Sequence, residues 1–124
     1  MEEITYNIDT EKNIIFTRIE GKFNLFNLLI HMNNVENDKK FKKGLNTLVD
    51  LTEAFINIDF YELSQLEFHF KEKEKIRGNC KWAVLHKDKT VFNFVSMVLP
   101  ELKLSKIKIK LFKSKQKALE WLSI

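Results

Sequence analysis

The chain has 124 residues, 44% of them hydrophobic and eleven of them Phe, which supplies one proper core and argues against a disordered segment. A single Cys excludes an internal disulfide and a cysteine-based structural zinc site, and three Gly with one Pro leave no room for a long flexible linker. The formal net charge of +4 is unevenly spread, with seven Lys/Arg against eleven Asp/Glu in residues 1–62 and fourteen against six in residues 63–124.

Residues 1–124 are therefore expected to form a single domain. Ile4, Tyr6 and Ile8 alternate with Thr5 and Asn7, and residues 14–20 form a second extended run. Polar Asp9 to Asn13 between them predict a hairpin. Gly21 closes the second strand, and Asn24 is placed to cap a helix over 25–36. Leu25, Leu28, Leu29, Met32 and Val35 form its apolar stripe, with Asn27, His31 and Asn34 on the polar face.

A third strand is predicted over 45–51, followed by an unusually apolar loop over 52–58 that carries Phe55, Ile56 and Ile58. Asp59 then caps a second helix, with Glu62 three residues later in capping-box spacing. Phe60, Leu63, Leu66 and Phe70 give that helix its buried stripe, while the alternating charges of 71–75 read as a solvated last turn before Gly78. Residues 80–86 form the fourth strand, with Trp82 and Val84 on one face and Ala83 and Leu85 on the other.

Thr90 is read as the cap of a third helix over 91–99 that Pro100 ends. Val91, Phe92, Phe94, Val95 and Val98 favour a strand by propensity, but the run lacks clean alternation. Lys106 to Phe112 alternates with period two, and the following stretch to Leu122 switches to the helical period. The order is β-β-α-β-α-β-α-β-α, an α/β fold with a mixed five-stranded sheet and four helices.

Three segments carry a resemblance: Thr47-Leu48-Val49-Asp50-Leu51-Thr52, Lys81-Trp82-Ala83-Val84-Leu85, and Ile109-Lys110-Leu111-Phe112 followed by Ala118-Leu119-Glu120-Trp121-Leu122. With this element order they resemble the STAS/SpoIIAA-like superfamily, most of all its stand-alone bacterial branch, which is also compared with the CRAL-TRIO lipid-binding fold. The resemblance implies a non-catalytic protein-interaction or regulatory module. Regulatory antagonists of that superfamily carry a phosphorylated Ser or Thr just after an Asp at the start of the second helix. Asp59 matches the Asp, but Phe60 and Tyr61 follow it, so the phospho-switch serine is lacking.

No motif specifies a reaction: there is no Gly-rich phosphate loop, Gly-x-Ser-x-Gly elbow or His-Glu-x-x-His. No enzyme activity, cofactor or metal is expected. His31 and His69 read as surface or packed side chains, and only His86 stands at a strand end, where α/β sheets take ligands. Lys106, Lys108 and Lys110 read as edge protection and lack interleaved aromatics, so no nucleic-acid partner is expected. Residues 91–99 are too few to span a bilayer, and the Met1-Glu2-Glu3 start lacks the basic opening of a leader, which points to the cytoplasm.

What remains is an apolar surplus. Phe55, Ile56, Phe60, Phe92 and Phe94 are the expected anchors of a surface for a protein partner or a second copy of the chain, with Asp59 and His86 at its rim. The alternative is a pocket between the sheet and helices two and three that holds a small hydrophobic molecule.

Overall fold

A computed structural model describes residues 3–124. Met1 and Glu2, from which the absence of a leader is read, lie outside the described residues. The elements are β1 (Glu3–Asp9), β2 (Ile14–Phe23), α1 (Leu25–Glu36), β3 (Asn46–Ile56), α2 (Phe60–Arg77), β4 (Cys80–Leu85), α3 (Lys89–Leu102), β5 (Ile107–Phe112) and α4 (Lys115–Leu122). They form a five-stranded sheet in the order β1-β2-β3-β4-β5. The β1–β2 hairpin is antiparallel, and every later pair is parallel, as strands joined through helices require. The mixed sheet and four helices are those expected from the sequence.

Alternation along each strand sends side chains to two helical layers. Trp82 packs with Leu25 and Met32 of α1, Leu66 and Phe70 of α2, and Val98 and Leu102 of α3. On the opposite face Ala83 and Leu85 pack with Leu48 and with Ala118 and Leu122 of α4. Three helices thus cover one face of the sheet and one covers the other.

Several readings differ from expectation, the first being that Gly21 does not close the second strand: β2 runs through it to Phe23 and pairs with the end of β3. The apolar segment 52–58 is mostly strand: β3 continues to Ile56 and pairs with the end of β2, Lys22 opposite Phe55 and Phe23 opposite Ile56. The alternation is masked by a register shift, since Arg18 faces Asp50 but Glu20 faces Glu53. One extra residue on β3 forms a bulge, and Asp50 Oδ1 braces it by accepting from Thr52 N at 2.9 Å and Thr52 Oγ1 at 2.6 Å.

The third helix is longer at both ends than 91–99. Asp88, not Thr90, is its cap and accepts the Thr90 N–H at 2.6 Å. Pro100 lies inside the helix. Its missing N–H falls in the last turn on an exposed face, where solvent can satisfy the orphan carbonyl.

The charged tail of α2 is not a solvated turn. Lys73, Glu74 and Arg77 are buried, and Phe60, assigned to the buried stripe, is 87% exposed. Among the described residues no helix is long and apolar enough to cross a membrane.

Candidate functional site

An apolar cavity of about 130 Å³ lies between the sheet and α1, α2 and α3. Ile19, Val49 and Val84 form its floor, while Leu66, Phe94 and Val98 close it from the helices. Four polar side chains also line it: Thr17 of β2, His31 of α1, Thr47 of β3 and Arg77 of α2. Thr47 sits opposite Trp82 near the start of β4, so this polar group belongs to the end of the cavity where β3 and β4 begin.

His31 is buried rather than on a polar face, because α1 lies against β2 and turns its ring onto the sheet. Its Nε2 is 3.2 Å from Thr17 Oγ1, and Tyr6 meets the ring edge-on. Burial first, then the nearby Arg77 charge, lower its pKa to about 4 against the opposing pull of Glu36. The ring is neutral at neutral pH.

Arg77 is held by an ion pair, a long hydrogen bond and two aromatic rings. Its Nε donates to Glu36 Oε2 at 2.8 Å, and its Nη1 reaches Thr47 Oγ1 at 3.5 Å. The guanidinium lies 5.5 Å from the Phe41 ring centre and 5.3 Å from that of Trp82. Lys73 Nζ donates to the other Glu36 oxygen at 2.7 Å and to Asn33 Oδ1 at 2.8 Å. The side chains of Lys73, Glu36 and Arg77 are 8%, 6% and 3% exposed, so a cluster of two cations and one carboxylate is buried beside the cavity.

The residues expected to form one surface are divided. Ile56 and Phe94 line the cavity, whereas Phe55, the neighbour of Ile56 on an extended strand, points to the other face and is 61% exposed. Phe92 is partly exposed and packs on His86 with ring centres 5.2 Å apart. His86 is itself buried, its Nδ1 has no hydrogen-bond partner among the described residues, and burial then Lys113 lower its pKa.

Asp59 has its expected role as a cap, accepting from Glu62 N at 2.8 Å. Glu62 returns one oxygen to Asp59 N and gives the other to Leu25 N at 3.0 Å, tying the starts of α1 and α2 together. Phe60 stands exposed beside that junction. Cys80 is a buried free thiol, and burial raises its pKa.

The sequence did contain a signal for the residues it failed to single out. Leu66, Phe70, Lys73, Glu74 and Arg77 continue one helical stripe, so the buried face of α2 runs from hydrocarbon into charge.

No protein-family model and no curated protein matches the chain. Solved structures do. One is an uncharacterized protein of the DUF3478 family with a SpoIIAA-like fold from Shewanella loihica PV-4, 13% identical over 98% of this chain and 95% of that one, with a TM-score of 0.65. Another is an anti-sigma factor antagonist from Mycobacterium paratuberculosis, 13% identical over 98% of this chain and 96% of that one, with a TM-score of 0.62. The element order, the mixed sheet and these two likenesses together show that the chain has the SpoIIAA-like fold.

Proposed function

We propose that the chain is a non-catalytic, STAS-like binding module of the cytoplasm that takes a small apolar molecule into the cavity beneath α1, α2 and α3. One observation carries this reading: a cavity of about 130 Å³ walled almost wholly by hydrocarbon. An engineered apolar cavity of roughly 150 Å³ is known to take up benzene, so the size suits a compact ligand. At about 24 cal/mol per Å³, a void of this size costs a fold about 3 kcal/mol, which an occupant would offset. The test is native mass spectrometry of freshly purified protein, with thermal melting against small apolar compounds. Co-purifying ligand or a raised melting temperature that Val98→Phe abolishes supports the reading. Neither effect with any compound rejects it.

A second reading is docking of a protein partner. Phe60, Tyr61 and Met97 are 87%, 73% and 57% exposed, and Phe60 and Met97 flank a groove between α2 and α3. Phe60 in the place of a phosphorylated hydroxyl removes a serine-driven switch but leaves an aromatic anchor at the same helix start. Phe60→Asp with Met97→Asp should then abolish co-purification of partners, as should Phe55→Asp with Phe92→Asp if the contact extends to the sheet edge. Unchanged partners and oligomeric state in all variants, with the fold intact, reject it.

A further inference from the structure

We propose that the cavity's ligand is a small monocarboxylate, an acid whose apolar body, about the bulk of a benzene ring, fills the hydrocarbon space while its carboxylate meets Arg77. This rests on the cavity-binding reading above and adds the ligand's head group.

The first argument is charge. Lys73 and Arg77 share one carboxylate, Glu36, and all three side chains are shielded from solvent. Lys73 takes the neutral Asn33 as its second partner, and His31 beside the cluster is neutral as well. Glu74, the other buried carboxylate on α2, is engaged by the backbone N–H groups of Ser105, Lys106 and Ile107. The cluster keeps one positive charge in surplus, and a buried charge without a partner is costly. One negative charge from a ligand balances it.

The second argument is geometry. Of the two cations, Arg77 lines the cavity and Lys73 does not. The Arg77 Nε is committed to Glu36, but the 3.5 Å contact of Nη1 with Thr47 is at the outer limit of a hydrogen bond. Phe41 and Trp82 hold the guanidinium plane, so its fork is oriented before a carboxylate arrives. Thr17 and Thr47 are also among the lining residues.

The third argument is exclusion. The rest of the wall is hydrocarbon, which rejects a sugar or a second charge along the ligand's body. A dianion would overbalance the single surplus charge, and an amine would oppose it.

The experiment compares phenylacetate, 2-phenylethanol and 2-phenylethylamine binding to the full chain at neutral pH by calorimetry. Phenylacetate should bind about 10- to 100-fold more tightly than the alcohol, the range that charge-assisted hydrogen bonds give, and the amine should not bind. Val98→Phe should abolish both the acid and the alcohol. Carboxyl-labelled phenylacetate, followed by carbon NMR, should titrate at lower pH when bound than when free, a readout that needs no Arg77 variant to fold. Equal binding of acid and alcohol overturns the carboxylate proposal while leaving the cavity reading intact. Binding of neither overturns the carboxylate proposal, and the cavity reading falls with it when no other apolar compound binds either. Acid binding that survives Val98→Phe, or a bound carboxylate that titrates as the free acid does, places the acid elsewhere and overturns the proposal.

Discussion

Glu74 and Ile107 are joined across the fold: Glu74 Oε2, near the end of α2, accepts the backbone N–H of the first residue of β5 at 2.9 Å. The same oxygen accepts from Ser105 at 2.9 Å and from Lys106, so one carboxylate ends three otherwise orphaned donors where α3 returns to the sheet. Burial pushes its pKa up, and the three N–H groups outweigh burial and hold it below the ordinary glutamate value of 4.5. A carboxyl depressed in the folded state stabilises the fold above its unfolded pKa, and that contribution is lost as pH falls through the folded value. Glu74→Gln should lower stability at neutral pH by about 1–3 kcal/mol, the worth of hydrogen bonds to a charged group. Urea unfolding of the two proteins should converge as pH drops well below 4.5. Equal stability at pH 7 would show that the carboxylate's charge contributes nothing to the junction.

His31 gives a separate pH dependence with a window at milder acidity. Its folded pKa is about 4 against the ordinary histidine value of 6.5. Between those values the unfolded chain binds a proton that the folded chain refuses, so stability falls as pH drops from about 6.5 towards 4 and then levels off. The full effect is about 3 kcal/mol, as 1.36 kcal/mol per pKa unit implies. His31→Gln should remove this slope, leaving the lower-pH loss due to Glu74. Denaturant midpoints of the two proteins at pH 7 and pH 5 measure it directly.

How far the sequence could be read depends on which interactions are local. Asn24 and Asp59 cap helices through bonds to residues three positions away, so their roles are visible in spacing alone. The alternation of Trp82, Ala83, Val84 and Leu85 likewise assigns each to a layer. The end of β3 was hidden because a bulge at Asp50 and Thr52 resets the period, placing Leu51 and Ala54 on one face. Arg77 was hidden for a different reason. Its partner Glu36 is 41 residues away, and sequence records a charge without recording what neutralises it. Of the expected surface, Phe55 and Ile56 are neighbours in the chain but belong to opposite faces, a consequence of strand geometry that a loop reading cannot anticipate.

Gly78 fixes where α2 stops and therefore where Arg77 sits. Its φ of 72° and ψ of −159° lie in a region essentially reserved for glycine. An added Cβ would also stand 2.6 Å from Lys43 Cγ. Gly78→Ala should cost about 1–3 kcal/mol. Gly44→Ala is the control, since its φ is also positive at 97° but its Cβ meets nothing within 4 Å. It should cost about 1 kcal/mol from backbone strain alone. Equal losses by thermal melting would show that the contact with Lys43 relaxes freely.

The buried cluster offers a test of what charge inside this fold is for. Glu36→Gln removes the only carboxylate paired with Lys73 and Arg77 among the described residues and leaves two cations enclosed. It should destabilise the chain by about 3–5 kcal/mol, the cost of breaking a buried pair from one side. Replacing all three together (Glu36→Leu, Lys73→Met, Arg77→Met) removes the charges with their desolvation penalty, and such swaps are often neutral or stabilising by about 1–4 kcal/mol. If the triple variant melts at or above the temperature of the parent, the ions are not needed to hold α1 against α2. Retention of a charged cluster that stability does not require is then explained by recognition, and the same variant should bind phenylacetate no better than 2-phenylethanol. A triple variant that is much less stable than the parent would instead assign the cluster to the fold itself.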